Sequence, residues 1–225
     1  MLVLFDIGST LLEGPAIGPG TRLAKALGLP QSDNSILSDL IFQRLHTSPD
    51  TLARTLAHEL SLPRQEVLDA VNSLWVAQIA EAHALPGAHR ALSDILGAGH
   101  RVAFVSNIWL PFLEAFSHHF PDTHDSCRGY YSFRMGISKP DRSIFRAALD
   151  DFGVNPRDAV VIGDTYNNDI RPAMEVGMHA IWVLHRPEKE KTNIVQVLNG
   201  NAPKPSLTIE TIGDLNAGTL TRFRD

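Results

Sequence analysis

Short apolar runs recur along the chain at residues 2–5, 101–105, 159–162 and 180–183, each four or five residues long, rich in β-branched or aromatic side chains and closed by turn residues. That pattern predicts buried strands. A further run at 206–209 is weaker. Between them the apolar positions change to a helical period at 88–96, 111–116, 142–152 and 170–176, each followed by glycine or other turn residues. Strand and helix alternate, which predicts an α/β fold built on a doubly wound parallel sheet, with its ligand crevice beyond the carboxyl ends of the strands.

Residues 13–84 break the alternation. They hold no convincing strand, only helical patterns at 21–27, 35–45, 51–60 and 64–82. The expected organisation is therefore a core formed by residues 1–12 and 85–225, with residues 13–84 inserted as an all-helical domain. The connection at 14–20 and the return at 85–87 have the glycine and proline content of hinges. The glycine-rich 14–20 stretch lacks the spacing of a phosphate-binding loop and reads as a linker.

Composition narrows the picture. A chain of 225 residues with 44% hydrophobic content is long enough for such a core and an insertion. A formal charge of −5, with no block of Lys or Arg, argues against nucleic-acid and membrane-surface partners. Cys127 is the single cysteine, so no intrachain disulfide forms, as expected in a reducing compartment such as the cytoplasm. No basic segment precedes the first apolar run, and no apolar stretch reaches membrane-spanning length.

The strand ends carry the candidate chemistry. Asp6 follows the run 2–5, with Thr10 four residues on; Ser106-Asn107 ends the run at 101–105; Lys139 stands in Lys139-Pro140-Asp141; Gly163-Asp164 follows the run at 159–162, with Asp169 five residues after Asp164. Separately, these residues are turn formers, helix caps or solvated charges: Ser106-Asn107 and Asp164 suit N-caps, and Asp169 suits a first helical turn. In this order and spacing the chain resembles the haloacid dehalogenase-like (HAD) hydrolase superfamily over nearly its full length.

The resemblance implies a Rossmann-like core, a mobile helical cap formed by 13–84, and phosphoryl chemistry. Asp6 is then the nucleophile, forming an aspartyl-phosphate that splits hydrolysis into two easier steps. Mg2+ is implied as cofactor, held by Asp6, the Gly8 carbonyl and Asp164, with Asp169 behind them or acting through water. Ser106 and the Asn107 backbone N–H bind phosphoryl oxygens, Lys139 neutralises shared charge, and Thr10 orients Asp6. The implied partner is a small phosphorylated metabolite; oligomeric state is not legible.

One position departs from the family's phosphatase pattern. The Asp usually found two residues after the nucleophile is Gly8 here. Its loss removes a general acid–base contribution of about 10² to 10⁴-fold. Two alternatives therefore stand beside the phosphatase: a haloacid dehalogenase or phosphonate hydrolase, the latter needing a cap lysine for which Lys25 is the sole candidate, and a catalytically silent protein that binds phosphate or a partner. Trp109 reads equally as a substrate contact or a core residue, and Arg22, Arg44 and Arg134 are the cationic candidates for a remote anionic group of the substrate. The ten histidines show no ligand spacing and are read as surface or core residues.

Overall fold

The computed structural model describes residues 1–223. From the amino terminus, β1 (Leu2–Phe5) leads to β2 (Leu12–Glu13), followed by α1 (Pro19–Ala26), α2 (Asn34–Phe42), α3 (Pro49–Leu60) and α4 (Arg64–Ala80). The chain returns through β3 (His83–Ala84) to α5 (Ala88–Gly97), β4 (Arg101–Ser106), α6 (Leu110–His119), α7 (Pro121–Ser126), β5 (Arg128–Tyr131), α8 (Ser132–Met135) and α9 (Ser143–Phe152). It ends with β6 (Ala159–Gly163), α10 (Arg171–Val176), β7 (His179–Val183), α11 (Lys191–Leu198) and β8 (Leu207–Ile209). No helix among the described residues is long and apolar enough to cross a membrane.

Six strands form one parallel sheet in the order β5-β4-β1-β6-β7-β8. Successive residues of a strand face opposite sides. Val3, Phe5, Phe104 and Ile162 accordingly join one hydrophobic cluster, and Leu2, Leu4, Ala103 and Val161 the other. Both faces are covered by helices, so the strands read as continuous apolar runs rather than as alternation. The strand order reverses at β1, whose neighbours β4 and β6 continue in opposite directions through the sequence. A crevice at such a switch point opens above the end of β1, where Asp6 emerges.

The four helices α1–α4 lie between β2 and β3 in the chain, and their apolar faces, through Leu23, Leu37, Leu52, Val67 and Leu74, are continuous with one sheet-face cluster. Residues 13–84 are not free of strand, however. Leu12 pairs with Ala84 and Glu13 with His83 in an antiparallel ribbon. The two chain crossings are thereby tied together, and Leu85 N donates to Leu11 O at 2.9 Å. Two-residue strands are too short for any periodicity to register.

Other departures have local causes. The helix expected over 35–45 stops at Phe42, and the His46 ring, 3.0 Å from Leu40 O, takes up a carbonyl of the last turn. Edge strand β5 was not expected because its apolar residues, Tyr130 and Tyr131, are adjacent rather than alternating. Gly129 permits it: a Cβ there would lie 2.0 Å from the Tyr131 ring. The helices at 121–126, 132–135 and 191–198 were likewise not foreseen, and none of the first two exceeds two turns.

Candidate active site

Sheet register brings the strand ends together. Phe5 is level with Phe104 and with Ile162, and Asp6 N donates to Ile162 O at 2.9 Å. Asp6, Ser106 and Asp164 therefore share one edge of the sheet. Ser106 Oγ donates to Asp6 Oδ1 at 2.8 Å, and Lys139 Nζ reaches the same oxygen at 2.6 Å. Thr10 Oγ1 lies 3.5 Å from the other oxygen, Oδ2. One carboxylate oxygen is thus held by two donors while its twin stays nearly free.

Lys139 is fixed from both ends. The Lys139-Pro140 peptide is cis. Asn107 clamps the lysine's backbone, donating from Nδ2 to Lys139 O and accepting from Lys139 N, both at 2.8 Å. At the far end, Nζ donates to Asp169 Oδ1 at 2.5 Å as well as to Asp6. Asp169 in turn accepts from Thr165 N at 3.0 Å. It stands in a single π-helical turn, Tyr166–Ile170, that precedes α10. Gly163 makes this close approach feasible, since a Cβ there would sit 2.5 Å from Asp169 Cγ.

Three carboxylates converge here. Asp6, Asp164 and Asp169 are all buried and offer oxygens within 4.8 Å of one another. Burial pushes the Asp169 carboxyl up to about 7; Lys139 works against that shift, and the charges of Asp6 and Asp164 add to it. Asp164 is also raised, by burial first and then by Asp6, with Arg186 opposing. For Lys139 burial acts to lower the pKa, but Asp169 and Asp6 together outweigh it and hold the ammonium charged, above its ordinary range. Raised carboxyl groups mean surplus negative charge in a dry place. Hard oxygen donors with such a surplus suit a small divalent cation.

Some expected roles are corrected. The N-cap of α6 is Trp109, and that of the π-helical turn is Thr165, so neither Ser106-Asn107 nor Asp164 caps a helix. Trp109 lines the crevice but is nearly enclosed: its ring meets Trp75 edge-on, and its Nε1 donates to Gln78 Oε1 of α4 at 2.9 Å. None of the three proposed arginines lines the crevice. Arg22 pairs with Glu81, Arg44 with Glu59, and Arg134 stacks over Tyr131 and Phe133. Lys25 is exposed at the end of α1 and does not line the crevice either, which leaves a phosphonate hydrolase without its lysine.

Arg186, Glu13 and Lys189 line the crevice instead. Arg186 Nη2 pairs with Asp164 Oδ2, and its Nη1 lies 3.5 Å from Glu13 Oε1. No sequence pattern marked them, because their meeting depends on the ribbon folding back to the loop after β7. The crevice itself encloses about 320 Å³. Apart from Glu13 of the ribbon, residues 13–84 give it only neutral side chains such as Phe42 and Gln78, with Gly14 and Pro15 from the connection.

A family model described as HAD-hyrolase-like matches residues 136–215, the stretch that carries Lys139, Asp164 and Asp169. A glyceraldehyde 3-phosphate phosphatase of Methanothermobacter thermautotrophicus is 27% identical over 229 residues, covering 95% of this chain and 96% of its own. The chain is similar to the HAD-like hydrolases in residues 136–215 and, at 27% identity, over nearly its whole length. A phosphoserine phosphatase of Thermus thermophilus is 46% identical over 52 residues, a match spanning 23% of this chain and 21% of the relative's length. Among solved structures, a 2-haloacid dehalogenase from Pseudomonas syringae pv. Tomato DC3000 superposes with a TM-score of 0.63 at 22% identity, covering 99% of this chain and 98% of that one. At that identity the likeness is one of HAD-like fold.

Proposed function

We propose that this HAD-like hydrolase is a magnesium-dependent phosphatase of small phosphorylated metabolites. The carrying observation is the clasp in which Lys139 and Ser106 hold one oxygen of Asp6 while Asp164 and Asp169 gather beside it. In this reading Asp6 attacks phosphorus through Oδ2. The phosphorus–oxygen bond to the leaving group breaks, and an aspartyl-phosphate forms. Water then attacks that phosphorus, releasing inorganic phosphate and restoring the carboxylate. Asp6, Asp164 and Asp169, with the Gly8 carbonyl, would hold Mg2+, which when bound offsets the repulsion between Asp6 and a phosphate dianion.

The other residues divide the remaining work. Ser106 and the Asn107 N–H take phosphoryl oxygens, Lys139 balances charge on Asp6 and the phosphoryl group, and Thr10 limits rotation of Asp6. Gly8 supplies no proton, so the favoured substrate has a leaving group that departs with little protonation or brings its own acid. Residues 13–84 act as a cap that excludes water, with Gln78 meeting Trp109 across the crevice. A crevice of about 320 Å³ suits a small metabolite. The full-length relative named as a phosphatase supports the same reading.

A panel of phosphorylated metabolites assayed with Mg2+ and with EDTA tests this directly. Turnover is expected only with Mg2+ and only with Asp6 intact. Binding of phosphate without turnover of any ester would instead favour a silent binding protein, and release of halide from a 2-haloacid would favour a dehalogenase.

A further inference from the structure

Arg186 joins two parts of the molecule that the phosphatase reading treats separately. Its guanidinium pairs with Asp164, one of the three converging carboxylates, and its other terminal nitrogen faces Glu13. Glu13 is a ribbon residue: its backbone is opposite His83, on the return crossing. Ser9 Oγ donates to Glu13 Oε1 at 3.2 Å, and the His185 ring nitrogen Nε2 lies 3.2 Å from Oε2. That second contact is close but poorly directed, for both Glu13 Oε2 and His185 Nε2 are buried without a hydrogen-bond partner, as is Arg186 Nε. Three neighbouring buried atoms with unused bonding capacity mark a network able to rearrange.

We infer that Arg186 is a positioning residue that couples divalent-ion binding at Asp164 to the ribbon beneath the helical insertion, through Glu13. The inference rests on the magnesium site proposed above. A cation drawing on the Asp164 carboxylate competes with Arg186 for the same negative charge, because attraction between unit charges in a dry setting is strong and falls as one partner is neutralised. Glu13 is the alternative anion within reach of the same fork. Ion binding shifts Arg186 toward Glu13 and engages its spare Nε, which tightens the link between the loop after β7 and the ribbon. The ribbon carries both crossings into residues 13–84, so ion occupancy and cap position form one linked equilibrium.

Isothermal titration with Mg2+ on the intact protein, combined with hydrogen exchange of the ribbon amides, tests the coupling without any turnover measurement. Arg186→Gln frees Asp164 of its competitor and is expected to lower the Mg2+ dissociation constant about threefold or more. Glu13→Gln leaves Arg186 committed to Asp164 and is expected to raise it by a similar factor. In the double variant the Glu13 effect disappears. Arg186→Lys keeps the charge but cannot span both carboxylates, so it folds as the parent does and also loses the coupling. Mg2+ slows exchange across the ribbon in the parent protein and not in the Arg186 variants. Strictly additive effects of the two substitutions, or ribbon exchange indifferent to Mg2+ in the parent, overturn the inference. Asp164→Asn separates the two claims: undiminished Mg2+ binding in that variant overturns the magnesium site itself, whereas lost binding together with additive Glu13 and Arg186 effects overturns only the coupling.

Discussion

Lys139 Nζ stands 2.6 Å from Asp6 Oδ1, although 133 positions separate the two residues in the chain. The same ammonium is 2.5 Å from Asp169 Oδ1. One buried cation therefore serves two buried anions.

Removal of that cation leaves two carboxylates without compensation in the interior. Lys139→Met is expected to destabilise the protein by about 3–5 kcal/mol at pH 8 in EDTA, the usual cost of breaking a buried pair from one side. Urea unfolding measures it. Since protonation of Asp169 relieves the strain, the loss should shrink at pH 5; an equal loss at both values would contradict the clasp.

Asp6→Asn tests the nucleophile. The amide is nearly isosteric, so the fold is retained, but it cannot form the acyl phosphate. Hydrolysis of an aryl phosphate with Mg2+ is expected to fall by at least about 10³-fold, while phosphate still binds in a titration.

Asp169 has a pKa pushed up to about 7, above the ordinary value of an aspartyl group in an unfolded chain. A raised carboxyl group contributes stability that is complete below the unfolded pKa and is lost as pH rises through 7. Mg2+ requires the deprotonated form. Its affinity should therefore climb by up to about tenfold per pH unit below 7 and level off above. Thermal denaturation with and without Mg2+ checks the sign, with the larger stabilisation expected at pH 8 than at pH 6.

Gly163→Ala places a Cβ 2.5 Å from Asp169 Cγ. Because β6 cannot yield, the π-helical turn must move and take Asp169 off Lys139. Activity is expected to drop by about 10-fold or more, in line with misplacement of a catalytic geometry by about an ångström. Asn107→Ala acts on the same lysine from its backbone side, removing two hydrogen bonds worth about 1–3 kcal/mol together. A normal kcat in both variants would show that the position of Lys139 is not critical.

Much of the core was legible because its signals are local. An apolar run closed by a turn residue records a strand buried on both faces, and this identified β1, β4, β6, β7 and β8 together with the polar residues at their ends. Asp6, Ser106 and Asp164 stand at such strand ends, whereas Lys139 and Asp169 stand out only through their order and spacing in the resemblance to the HAD-like hydrolases. The parallel sheet follows from the same alternation.

Contacts between distant segments left no such trace. Asn107 stands out in the sequence only for its backbone N–H, and its side-chain clamp on the backbone of Lys139 needs the fold to bring the two together. Arg186 and Glu13 are ordinary charges until the ribbon and the loop after β7 meet at Asp164. For Trp109, substrate contact and core packing stand level in the sequence, and Trp75 and Gln78 of α4 beside it decide for packing. The sequence by itself determined which groups stand at the strand ends, since periodicity and turn chemistry act over a few residues. Only the tertiary structure decided their partners, because hydrogen bonds and ion pairs depend on distances that strand order and register set.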